Sequence, residues 1–154
     1  MITLDGVDVD AIVWDAPNDD HPARRASQRS YTAVSAGDLE QWLTVYAEDA
    51  VIEDPVGPSM FDPEGKGHRG HEGIRAFWDL TIATIERFRF HIRESHANGT
   101  TCANVGTITT RFADGTVVDT DLVMVYEIHD DGRVASMRAY WEPVRAMATA
   151  RKES

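Results

Sequence analysis

Among 154 residues there is one cysteine, Cys102, so the chain forms no intrachain disulfide and a reducing cytoplasm is its simplest home. Basic residues are scarce too. Fifteen Lys and Arg against 26 Asp and Glu leave a formal net charge of -11, the wrong sign for gripping nucleic acid or an anionic membrane surface. No apolar run approaches the length of a membrane span. The start, MITLDGVDVDAIVWDAP, lacks the basic opening and unbroken apolar stretch of a secretory signal, because Asp5, Asp8 and Asp10 interrupt it. Metal-ligand spacing is missing as well: His68 and His71 lie in GKGHRGH with no second ligand pair, and read as a polar loop entering a helix. No metal or cofactor is expected. What remains is length enough for one domain with a sizeable core and a small-molecule cavity.

Neither an internal repeat nor a long linker appears. Residues 1–22 read as an N-terminal arm ending in the turn-rich APNDDHP, and residues 23–154 as a single domain. In the arm, Val7, Val9 and Ala11 alternate with Asp8 and Asp10, which suits a short strand laid on the body or a partner, and equally suits disorder. The pattern predicts a helix over 23–36, closed by Gly37. Asp38 caps a second helix, where Leu39, Trp42, Leu43 and Tyr46 form one stripe at i, i+3, i+4 and i+7. A short strand, Ala50 to Asp54, stops at Pro55 and Gly57, and a third helix starts near Glu72 with Ile74, Phe77, Trp78, Ile82 and Ile85 facing inward.

From residue 87 the period changes to two. RFRFHIR sets Phe88, Phe90 and Ile92 against Arg87, Arg89, His91 and Arg93. CANVGTITTRF and TVVDTDLVMVYEI follow, joined at Ala113-Asp114-Gly115, and a turn at Asp130-Asp131-Gly132 leads into RVASMRAYW. Helices first and a long antiparallel meander last give an α+β fold whose helices cover the apolar face of the sheet. A sheet curled around helices leaves a pocket at its open end, suited to a small apolar ligand.

Three separated stretches, AGDLEQWLTVYAEDAVIEDPVG, GHEGIRAFWDL and GRVASMRAYW, together resemble the ketosteroid isomerases of the nuclear-transport-factor-2-like, or SnoaL-like, superfamily. The resemblance runs from about residue 28 to 142. It implies a cone-shaped α+β fold, a curved antiparallel sheet wrapped around helices, with a steroid-like ligand and a homodimer paired through the polar sheet face. It also makes Asp54, in EDPVG, the general base that shifts a double bond beside a ketone. Such a carboxylate, half sunk among apolar neighbours, loses hydration and becomes more basic.

The family holds the enolate oxygen with a tyrosine of the first helix and a protonated aspartic acid of the sheet. Ser30 stands at the first position here, with Tyr31 one residue later and rotated away by a helical step. Met124 stands at the second, and Asp119 and Asp121, an odd number of residues away, point to the opposite face. Tyr126 shares the face of Met124. The expected catalytic groups are therefore Asp54, Tyr126 and Ser30, with Tyr31, Tyr46, Phe77, Trp78, Met124 and Trp141 around the substrate. Aromatic residues at these spacings also suit plain core packing. Two other functions share the same pattern: a steroid-binding protein without efficient catalysis, and a SnoaL-like cyclase or hydrolase.

Overall fold

A computed structural model describes residues 11–153 in full and, before them, the backbone of two short paired strands, β1 (Thr3–Leu4) and β2 (Val7–Asp8). Strand β3 (Ile12–Trp14) is followed by helix α1 (Pro22–Ala36). The imidazole of His21 accepts from Ala23 N at the start of α1, and Pro22 fills a position whose N–H would have no partner anyway. Gly37 ends the helix at φ +68°, a conformation open to glycine, with Gly37 N and Asp38 N donating back to Val34 O and Ala33 O. Asp38 then caps α2 (Leu39–Val45) by accepting from Gln41 N at 3.1 Å.

Strand β4 (Tyr46–Glu53) leaves α2 without a loop, and β5 (His68–Arg69) pairs with it before α3 (Gly70–Leu80) and a 3₁₀ turn at Ile82–Thr84. The meander is β6 (Arg87–Asn98), β7 (Thr101–Arg111), β8 (Thr116–Ile128) and β9 (Val134–Tyr140). Helix α4 (Pro143–Met147) and strand β10 (Arg151–Lys152), which pairs with β8, close the chain. The sheet order is β3-β6-β7-β8-β9-β4-β5.

The expected meander is present, and the sheet as a whole is mixed. β3 lies parallel to β6 and β4 parallel to β9, because both arrive from outside the meander and add to its edges. The second helix is shorter than its stripe: Tyr46, fully buried, pairs with Val134 at the start of β4. Tertiary pairing outweighs helical spacing there. The third helix stops at Leu80, where the Thr81 hydroxyl bonds back to Phe77 O at 2.8 Å, so Ile82 and Ile85 lie beyond it.

Curvature comes from a bulge in β6 between Ile92 and Glu94. Opposite it, Gly106 lets two backbones meet: a Cβ there would lie 2.1 Å from His91 O. The concave face holds the core. Ile52, Ile74, Ile92 and Val134 are fully buried within it, each contributing about 1.5–3 kcal/mol by leaving water. No described helix is long and apolar enough to cross a membrane.

Candidate active site

Alternation along β4 places the central carboxylate. Ile52 points into the core, and Glu53 points out and pairs with Arg138 at 2.8 Å. Asp54 points in again, one residue past the strand end. Val56 N donates to Ala139 O at 2.9 Å and ties the following loop to β9. Asp54 faces a cavity of about 380 Å³ with a predominantly apolar wall. Burial pushes its carboxyl up to about 6, opposed by a 2.6 Å hydrogen bond from Trp141 Nε1 to Oδ1.

Ser30, Tyr31, Tyr46, Phe77, Met124, Tyr126 and Trp141 share this wall with Asp54, contributed by α1, β4, α3, β8 and the segment after β9. Trp78 does not. It packs on Trp42 with ring centroids 5.2 Å apart and borders a second hollow of about 330 Å³ between the end of α1 and the segment that leads into β6. Met60 and Phe61, from the loop after β4, join Leu80 and Met147 in lining the cavity. Met60, Leu80 and Met147 are among the exposed large apolar side chains, which marks this as the mouth.

At the inner end, two phenols converge on one sulfur. The Tyr31 hydroxyl lies 3.6 Å from Met124 Sδ and the Tyr126 hydroxyl 3.8 Å from it. Tyr31 is stacked on Phe90 at 4.7 Å and meets Tyr126 edge to face at 6.0 Å. Desolvation raises the Tyr31 phenol above the ordinary range. For Tyr126 it acts first, followed by Tyr31, Tyr46 and Asp54, so both hydroxyls stay neutral donors. Ser30 is held within the wall: its Oγ accepts from Trp42 Nε1 at 2.9 Å and lies 3.4 Å from the Tyr46 hydroxyl.

Behind Tyr31 stands a residue that periodicity alone passes over. Asn104 on β7, registered opposite Met124, is fully buried, and its amide donates to Tyr31 Oη at 2.9 Å and to Ser27 Oγ at 3.0 Å. The signal for it was present: Cys102 and Asn104 fall on the inward parity of their strand, and an amide there must find partners. His71, by contrast, is absorbed by structure, its Nε2 lying 2.8 Å from Tyr46 O.

A curved sheet folded over helices, with the desolvated Asp54 carboxyl at the edge of an apolar cavity, has the size and lining of a small-molecule site. The chain belongs to the SnoaL-like family, whose domain matches residues 27–137. It is 30% identical over 122 residues to the steroid Δ-isomerase of Nocardioides simplex, spanning 78% of this chain and 89% of that enzyme. The Δ5-3-ketosteroid isomerase of a Mycobacterium species superimposes with a TM-score of 0.77 at 32% identity, over 87% of this chain and all of that one. A Mycobacterium tuberculosis protein crystallised with estradiol-17β-hemisuccinate superimposes at 0.75, with 32% identity, over 86% of this chain and 99% of that one. Cyclase-like proteins at 19% and 21% identity share the fold alone.

Proposed function

We propose that this protein is a steroid Δ-isomerase-type enzyme that moves a β,γ double bond of a 3-oxosteroid into conjugation, with Asp54 as the general base. The observation that carries this reading is the Asp54 carboxyl itself. It is raised to about 6 at the edge of an apolar cavity of about 380 Å³, where a carboxylate can both take and return a proton near neutrality. Asp54 removes the proton from the carbon between the carbonyl and the alkene. The electron pair moves onto the carbonyl oxygen, giving a dienolate. The resulting carboxylic acid returns the same proton to the far alkene carbon, and the conjugated ketone leaves. Ketosteroid isomerases pair a carboxylate base with neutral oxyanion donors in this way.

Tyr126 serves as a donor to the oxygen, since it is buried, neutral and aimed at the same point as Tyr31. Ser30 holds Tyr46 against the pocket wall. Trp141 fixes the base through its 2.6 Å bond, and its ring with Phe77 supplies apolar wall for the steroid skeleton. The working form is a homodimer joined through the outer face of the meander, in a reducing cytoplasm, with residues 1–22 as an arm on the domain. No cofactor takes part.

Turnover of 5-androstene-3,17-dione, followed by the absorbance of the conjugated product, tests the reading in wild type and Asp54→Asn. A fall of about 10²–10⁴-fold in the variant is expected. Saturable binding of the steroid without turnover in wild type would leave a steroid-binding protein in its place.

A further inference from the structure

Arg24, on the first turn of α1, is only 6% exposed, and three hydrogen bonds tie its guanidinium to neutral oxygens. Nη1 donates to Asp19 O at 2.6 Å, Nε to Ser95 Oγ at 2.9 Å and Nη2 to Ser95 O at 3.3 Å. It has no carboxylate partner among the described residues. Removing a guanidinium from water is expensive, so a buried one without a counter-ion needs a task.

The bonds leading away from it have one direction. Asn104 Oδ1 can only accept, so the Cys102 thiol donates to it at 3.3 Å. The sulfur is then left to accept from the Ser95 hydroxyl at 3.6 Å, and the oxygen of Ser95 is the acceptor for Arg24 Nε–H. At the far side, Ser27 donates to Arg24 O at 2.7 Å, so toward Asn104 it must accept. That requirement turns the amide nitrogen of Asn104 to Ser27 and, at 2.9 Å, to Tyr31 Oη. Along the branch from Arg24 Nε through Ser95, Cys102 and Asn104 to Tyr31, each donor points toward the cavity. The chain ends on the Tyr31 O–H, which lies 3.6 Å from the thioether of Met124 beside the Tyr126 hydroxyl.

We propose that Arg24, Ser95, Cys102 and Asn104 form a one-way hydrogen-bond relay that strengthens Tyr31 as the donor to the ligand's carbonyl oxygen. Tyr31 is then a catalytic residue and the other four are positioning residues with Ser27 completing the amide's orientation. Each bond in such a chain polarises the next, and burial leaves the cation's field little screened. As charge develops on the oxygen, the positive ends of the whole relay already face it, with no reorganisation required. The relay also explains how Met124 is tolerated where the family places an acid: a carbonyl entering the site exchanges a weak sulfur acceptor for itself. Burial raises the Cys102 thiol, which keeps its proton available for the Asn104 bond.

This inference rests on the steroid-isomerase reading, and infrared difference spectra of bound testosterone, carbon-13 labelled at its 3-carbonyl, separate the two. In wild type the carbonyl stretch is expected below its position in hexane. Tyr31→Phe keeps the ring and its stacking on Phe90, and moves the stretch back toward the hexane value. Asn104→Leu and Arg24→Met move it part of the way, with kcat lowered about tenfold and KM within about twofold. An unchanged stretch in Tyr31→Phe overturns the inference and leaves the Asp54 reading standing. A shift in Tyr31→Phe but none in Asn104→Leu or Arg24→Met also overturns the relay. Absence of testosterone binding to wild type overturns both.

Discussion

On the outer face of β7 and β8, Thr109 Oγ1 donates to Asp119 at 2.7 Å, Arg151 reaches the same carboxylate at 2.9 Å, and Thr107 donates to Asp121 at 2.6 Å. On the inner face of the same strands, Asn104, Met124 and Tyr126 are buried, and the carboxylate across the cavity, Asp54, has a single side-chain hydrogen-bond donor among the described residues, Trp141. The consequences for the two acids are opposite. Partial desolvation acts upward on Asp119, yet its bonds from Thr109 and Arg151 outweigh it and hold the carboxyl below the ordinary range. Desolvation acts upward on Asp54 as well, and one indole N–H does not cancel it. The outer face thus holds the Asp119 carboxyl below the ordinary range, and the inner face leaves Asp54 free to change its proton near neutrality.

Removing the hydroxyl of Tyr126 attacks the inner face where the contrast is sharpest. Tyr126→Phe is expected to lower kcat on the order of a hundredfold with KM little changed. Undiminished steady-state turnover would remove Tyr126 from the site.

Stability against pH comes next in size. The ordinary Asp54 value is 3.8 and the folded one about 6, so the fold favours the neutral acid. Stability from this group is complete below the ordinary value. It declines as the unfolded chain ionises first, and is fully lost above the folded value. Thermal denaturation of Asp54→Asn should therefore show a gain over wild type on the order of 2 kcal/mol at about pH 8 that vanishes toward about pH 3. A variant less stable than wild type at about pH 8 would contradict the desolvation account.

Asp119→Asn should behave with the opposite sign and a smaller size. Its folded value is lowered, so the ion contributes stability above the ordinary carboxylate range and loses it as the pH falls. Because the pair with Arg151 is partly exposed, the loss at neutral pH is expected below about 1 kcal/mol. Urea denaturation of the two variants at matched pH reads both signs in one series.

Much of this was legible in the chain. Gly37 and Asp38 mark the junction of α1 and α2 because each supplies a local need, a left-handed φ and an N-cap acceptor. The alternation of Phe88, Phe90 and Ile92 sorts β6 into faces without reference to anything distant. The boundary at Tyr46 was not legible, since the partner that draws it out of the helix, Val134, lies 88 positions on. Trp78 illustrates the same limit. Helical spacing says that it faces inward, and only packing against Trp42 shows that it borders a different hollow.

By itself the sequence determined the class of fold, the face that Tyr126 shares with Met124, and a negative surface unsuited to polyanions. These follow from local periodicity, turn chemistry and composition, which act within a few residues. Only the tertiary structure decided that Tyr31 and Tyr126 meet over the sulfur of Met124, and that Arg24 reaches Tyr31 through residues 71 to 80 positions away. Hydrogen bonds are directional and short, so a polar network exists only once curvature of the sheet has brought its members within about 3 Å of one another.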